Sequence, residues 1–224
     1  MTVCLIPARL GSQRLYQKNL LHINGQSLVR LCCLKALGSG VFDKVVVSSD
    51  SDLILNETVD LDVERVKRAA TLADSVATSE DFVFDYLVKN PNVKNLVMLH
   101  SIAPLLTVDS VIGFTNNFLS MRGIDTQLST DETVLEYIYK SKPVNFDFST
   151  KTNSQDLPKL ERINWAISAW RRISFIKGYI SENQCGTYSG KIDYYKVPRN
   201  EALMIKEKGD YLVAKFLIEN GRTE

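Results

Sequence analysis

The sequence contains neither Gly-x-x-x-x-Gly-Lys-Ser/Thr nor Gly-x-Gly-x-x-Gly, so two common glycine-rich phosphate-binding fingerprints are both missing. No apolar run approaches the roughly 18–20 residues that a membrane-spanning helix needs. A strand-like stretch begins almost at once, leaving no room for a signal peptide. Charge of one sign is not in excess. The 27 Lys and Arg against 26 Asp and Glu give a formal +1, which removes the electrostatic case for nucleic acid as a bulk partner. Cysteine is sparse: Cys4, Cys32, Cys33 and Cys185 make no Cys-x-x-Cys pair and no zinc spacing. Cys4 falls in an apparent core strand and Cys32-Cys33 in an apparent helix, so reduced buried thiols in a cytoplasmic setting are expected. Internal repeats and low-complexity tracts are absent too.

What is present reads as α/β. A chain of 224 residues with 45% hydrophobic residues is long enough for one well-buried domain or a domain with an extension. Val3–Ile6, Val45–Val47 and Leu96–Leu99 are short apolar runs of the kind buried on both faces of a parallel sheet. Leu28, Leu31, Cys32, Leu34 and Leu37 recur at helical spacing and stop at Gly38-Ser39-Gly40. Asp50 follows the second strand and reads as an N-cap for a helix near Leu53. Further helices are expected from Ser79 and over Thr107–Leu119, the second with Val111, Phe114, Phe118 and Leu119 inward. Thr126–Thr130, Thr133–Tyr139 and Ile192–Val197 read as strands, Asn145–Asp156 as a polar insertion and Arg171–Ile180 as a helix. Ala202–Ile205 reads as a short strand. Gly209-Asp210 then opens a last helix whose apolar face is Leu212, Val213, Phe216 and Leu217.

The stretch that organises the rest is Ile6–Leu20, a loop between the first strand and the first helix. Such a loop lies at the carboxyl edge of a parallel sheet, where ligands bind. It carries Arg9, Arg14 and Lys18 around Gly11-Ser12. A Gly-Ser turn lets backbone N–H groups approach an anion, and three cations would offset a polyphosphate. On charge alone, a solvated surface connector that happens to be basic is the plainer reading.

Resemblance changes that balance. Ile6-Pro7-Ala8-Arg9, Gly11-Ser12 and Lys18-Asn19 resemble the N-terminal signature of the sugar-acid cytidylyltransferases, the family of acylneuraminate (CMP-sialic acid synthetase) and 3-deoxy-manno-octulosonate cytidylyltransferases. Pro104-Leu105, Gln155-Asp156-Leu157-Pro158 and Arg162-x-Asn164-x-Ala166-Ile167 resemble later motifs of the same family. The resemblance implies a Rossmann-like nucleotidyltransferase over residues 1–224. A mainly parallel central sheet is flanked by helices, with a β-rich dimerisation extension at about 124–165 that helps form a partner's acceptor site. It implies transfer of CMP from CTP to the anomeric hydroxyl of a nonulosonate-like sugar acid, with release of pyrophosphate, in surface-glycan biosynthesis by a cytoplasmic homodimer. Arg9 and Lys18 are then catalytic. Arg9, Ser12, Arg14, Lys18, Asn19, Arg68 and Ser79 hold CTP, while His100, Gln155, Arg162 and Asn164 face the acceptor.

Several residues depart from the family pattern. Ala69 replaces a proline after Arg68, His100 a glutamine and Leu106 an arginine. Trp165 stands where the family has glycine, and Ser154 where a basic residue commonly meets the acceptor carboxylate. The family's two metal-binding aspartates correspond to Met204 and Lys206. The expected Mg²⁺ then either arrives with the nucleotide or yields to fixed charge on Lys206. The same departures leave open a nucleotide- or sugar-binding paralogue without turnover, or an enzyme of this fold using another nucleotide or a neutral acceptor.

Overall fold

The computed structural model describes residues 1–74 and 76–221. β1 (Thr2–Pro7) leads through a small hairpin, β2 (His22–Ile23) with β3 (Gln26–Ser27), into α1 (Leu28–Ser39). β4 (Lys44–Ser49), α2 (Asp52–Asn56), β5 (Glu64–Lys67), α3 (Ser79–Lys89) and β6 (Asn95–Leu99) follow. Then come α4 (Val108–Ser120), β7 (Thr126–Thr133), a second hairpin of β8 (Ile138–Tyr139) and β9 (Lys142–Pro143), and β10 (Leu160–Arg171). α5 (Arg172–Tyr179), β11 (Ile192–Lys196) and α6 (Lys208–Glu219) complete the described chain.

Seven strands form one sheet in the order β11-β7-β10-β6-β1-β4-β5. β10 alone runs antiparallel to its neighbours β6 and β7; the other pairings are parallel. This is the mainly parallel α/β sheet expected from the sequence. Side chains of β1 alternate between its two faces. Cys4 and Ile6 pack with Val29, Cys33 and Ala36 of α1 and Phe114 and Phe118 of α4. Val3 and Leu5 pack with Val83 and Leu87 of α3 and Phe175 of α5. Both faces are dry, which explains the unbroken apolar spelling of β1, β4 and β6. Each fully buried large apolar side chain contributes about 1.5–3 kcal/mol.

Chain order gives the sheet its functional edge. From β1 the chain steps one way to β4 and β5, then crosses back to β6 on the other side. A crevice therefore opens beyond the carboxyl ends of β1 and β6, at the switch point where open α/β sheets bind ligands.

Some local expectations change. Thr126–Thr133 is one strand, and the expected second strand shrinks to the two residues of β8. β10, twelve residues long, has no counterpart in the sequence reading because its alternation is broken by a bulge between Ile163 and Ser168. Ala202–Ile205 is a turn and an extended segment rather than a strand, held by Ile205 N donating to Ile102 O at 2.8 Å. Ser51, not Asp50, is the N-cap residue of α2; Asp50 Oδ1 accepts from Leu10 N at 3.0 Å instead. α6 begins at Lys208 with Glu207 as N-cap, and Asp210 is its N3 residue, closing a capping box. Its inward face is Tyr211, Ala214 and Ile218, whereas Leu212, Val213 and Phe216 are each about half exposed. Leu119 of α4 likewise faces outward.

Candidate active site

Two clefts lie at the carboxyl edge of the sheet. The first, about 340 Å³, is lined by Arg9, Ser12, Lys18, Asn19, Arg68, Ser79, Phe82, His100 and Ser101, among others. Six residues assigned to CTP by resemblance are thus brought together from the ends of β1 and β5 and the start of α3. Asn19, Arg9 and Arg68 are each held by a definable contact. Asn19, buried, donates from Nδ2 to Arg9 O at 2.8 Å and accepts at Oδ1 from Ser101 Oγ at 2.6 Å, stitching the first loop to the loop after β6. Arg9 Nη1 donates to Asp74 O at 2.7 Å. Arg68 N donates to Ser49 O at 2.7 Å, and its guanidinium lies 4.6 Å from the Phe82 ring centroid.

The electrostatics of this cleft point to an anion. Burial, then the charge of Arg14, then that of Arg9 push the Lys18 ammonium below its usual pKa. Burial lowers Arg68 as well, with Arg9 adding to it and Asp50 opposing. Arg68 is only 7% exposed, and its Nε has no hydrogen-bond partner among the described residues. A buried charged donor left without a partner costs several kcal/mol at most sites, so ligand acceptors would find it ready. Burial, then Lys18, push His100 down to about 4, so its imidazole is neutral at pH 7.

The second cleft, about 450 Å³, is lined by Arg14, Arg162, Ile163, Asn164, Trp165, Met204, Lys206 and Asp210, among others. Arg162 makes a two-pronged pair with Asp131, Nε to Oδ1 at 3.1 Å and Nη2 to Oδ2 at 3.0 Å. Asn164 Oδ1 accepts from Ser129 Oγ at 2.6 Å and Ala166 N at 3.0 Å. Its Nδ2 is buried with no partner among the described residues. Next to it Trp165 sits at φ 63°, in the left-handed region, inside the β10 bulge. Glycine enters that region freely and tryptophan does not, so the backbone here has a conformation suited to glycine.

Other expected residues fall elsewhere. Arg14 lines the second cleft, not the first. His100 lines the first with the nucleotide set rather than the acceptor set. Gln155 is exposed on the 3₁₀ turn Ser154–Asp156 and lines neither cleft. The sequence reading missed Asp50, Ser101, Phe82 and Asp131 as site supports. Ser101 falls in the segment from His100 to Leu106 and Asp50 in a Ser-Asp step, both of which resemble the family, but the partner through which each of the four acts is visible only in the fold.

The two carboxylates of the second cleft, Glu207 and Asp210, both serve the capping box of α6. No group of three or more His, Cys, Asp or Glu is placed to hold a cation among the described residues. Asp210 Oδ2 already accepts from Lys206 N at 2.7 Å and Glu207 N at 2.9 Å. No described helix is long and apolar enough to cross a membrane.

Comparison with known proteins gives the family and the fold. Over 105 residues, 46% of this chain, the sequence is 34% identical to an N-acylneuraminate cytidylyltransferase of Streptococcus agalactiae serotype V, of which it spans 25%. It is 33% identical over 112 residues to a pseudaminic acid cytidylyltransferase of Campylobacter jejuni, the match covering 48% of each chain. The chain therefore spans a quarter to a half of these relatives. In fold it is similar to a CMP:2-keto-3-deoxy-manno-octonic acid synthetase solved with CTP, with a TM-score of 0.73, 15% identity, and 98% and 99% of the two chains covered. The family model described as cytidylyltransferase matches residues 3–205. The chain belongs to the cytidylyltransferase family.

Proposed function

We propose that this chain transfers CMP from CTP to the anomeric hydroxyl of a nonulosonate-like sugar acid. The observation that carries the reading is the convergence of Arg9, Ser12, Lys18, Arg68 and Ser79 on one cleft at the sheet's switch point. In this reading Arg9, Ser12 and Lys18 face the triphosphate, which arrives as its Mg²⁺ complex, the metal being part of the substrate. Arg68, stacked on Phe82, offers its free Nε–H to the cytosine carbonyl or ring nitrogen, and Ser79 offers its hydroxyl to the ribose. Asn19 has both polar atoms engaged and acts by fixing the loop.

The acceptor enters the second cleft, where Arg14 and Arg162 meet its carboxylate and Asn164 Nδ2 donates to a hydroxyl. Its anomeric oxygen forms a bond to the α-phosphorus. The bond from that phosphorus to the bridging oxygen breaks, pyrophosphate leaves with the electron pair, and the hydroxyl proton passes to solvent. Neutral His100, in the first cleft, adds no charge there. Catalysis of this kind is positioning plus neutralisation of charge on oxygen, which needs fixed cations more than a covalent nucleophile.

We propose, too, that the active form is a homodimer. Leu135, Ile138, Tyr139, Val144 and Phe148 of the insertion are exposed by 56%, 61%, 66%, 51% and 68%, an apolar arm that a second copy would cover. Gln155 at its base would then serve the partner's acceptor cleft rather than its own. A panel of nucleotides against sugar acids, read by pyrophosphate release, tests the function. Release with CTP and a nonulosonate is expected. CTP binding with no release from any pair would favour a paralogue without turnover, and release with a neutral sugar only would exclude the acidic acceptor.

A further inference from the structure

Lys18 is the wall between the two clefts. Its side chain lines the first, and its Nζ donates to Ile205 O at 2.8 Å, pinning to it the segment whose Met204 and Lys206 line the second. Arg9, Arg14 and Lys206 all act on Lys18 as like charges, with Asp210 the opposing carboxylate. Four cations thus gather where the clefts join, and that carboxylate is occupied in capping α6. Mutual repulsion of this kind costs stability in the empty protein and is relieved by a polyanion that reaches across both clefts.

A triphosphate in the first cleft and an acceptor in the second bring the reacting phosphorus to that junction. The two carboxylates that line the second cleft, Glu207 and Asp210, both accept backbone N–H groups in the capping box of α6; beside them Met204 supplies a thioether and Lys206 an ammonium, where a hard divalent cation prefers oxygen ligands. We propose that Lys206 is a catalytic residue whose ammonium faces the phosphoryl group in transfer and supplies the fixed positive charge that a protein-held metal would otherwise provide. This rests on the cytidylyltransferase reading. As the α-phosphorus changes partners, negative charge grows on the departing pyrophosphate oxygen, and an ammonium already in place stabilises it without reorganisation. The Mg²⁺ requirement then belongs to CTP alone.

The test combines turnover with a metal readout. For the unaltered chain, activation by Mg²⁺ should saturate in one phase as CTP becomes complexed. Mn²⁺ titrated into the nucleotide-free chain, followed by electron paramagnetic resonance, should find no tight site. Lys206→Met, a surface substitution of similar length, should lower kcat by about 100-fold while weakening CTP binding far less, with Lys206→Arg recovering part of the loss. Met204→Asp with Lys206→Asp should acquire both a Mn²⁺ site and a second Mg²⁺ phase. Unchanged kcat in Lys206→Met, or a tight Mn²⁺ site in the unaltered chain, would overturn the proposal and leave the function intact. An unaltered chain silent with every CTP–acceptor pair would overturn both.

Discussion

Single side chains decide the nucleotide cleft, and two of them give quantitative expectations. Arg68 is buried over Phe82 with a donor left free. Arg68→Met keeps the stem and removes the charge and donors, so CTP affinity should fall by about 10- to 100-fold, the worth of a charge-assisted hydrogen bond. Calorimetric titration reads this directly, with thermal melting as the control for folding. His100 gives a pH signature. Its folded pKa lies near 4, below the ordinary 6.5, so the unfolded chain binds the extra proton first as pH falls. The stability this contributes is whole above about 6.5 and drains as pH drops towards 4, with an upper bound of roughly 3 kcal/mol. Urea denaturation from pH 7 to 4 should show that slope, and His100→Gln should flatten it. A slope unchanged in the variant would remove His100 from the account.

At the scale of elements, the β10 bulge offers the sharpest prediction. Trp165 holds φ 63°, and its ring lies edge-on to Tyr188 with centroids 6.0 Å apart. Trp165→Ala loses that packing and keeps the left-handed backbone, whereas Trp165→Gly loses the packing and relieves the backbone. The glycine variant should therefore be the more stable of the two by about 1 kcal/mol, the reverse of the usual order within a strand. Melting temperatures of the pair check it. The same bulge shows what the sequence could and could not tell. β1, β4 and β6 were legible because both faces are buried and their spelling is continuous. α1 was legible because Ser27 caps its start and Gly40 its end. β10 was not, since its two registers meet in residues that obey neither. α6 was misread because three of its apolar side chains face outward, so spacing alone chose the wrong stripe.

At the scale of the whole molecule, the switch point explains why the first cleft could be read from sequence and the second only in part. Arg9 to Asn19 form one continuous loop, so a local signature marks them. The second cleft is assembled from Arg14, the β10 bulge and the segment before α6, nearly two hundred residues apart in chain order. Only tertiary structure shows that Lys18 joins them. The exposed arm over 135–148 belongs to this scale as well. Ile138→Lys with Phe148→Lys should leave the fold intact and shift sedimentation from dimer to monomer, and a monomer in the unaltered chain would refute the proposed assembly. The central claim is that the cationic turn after β1 cradles the phosphates of CTP. Calorimetric titration of CTP, ATP, GTP and UTP into the unaltered chain and into Lys18→Ala tests it most directly. The account predicts preferential binding of CTP, weakened at least about 10-fold by the substitution and by added salt. Equal affinity for all four nucleotides, or CTP binding indifferent to Lys18, would contradict it.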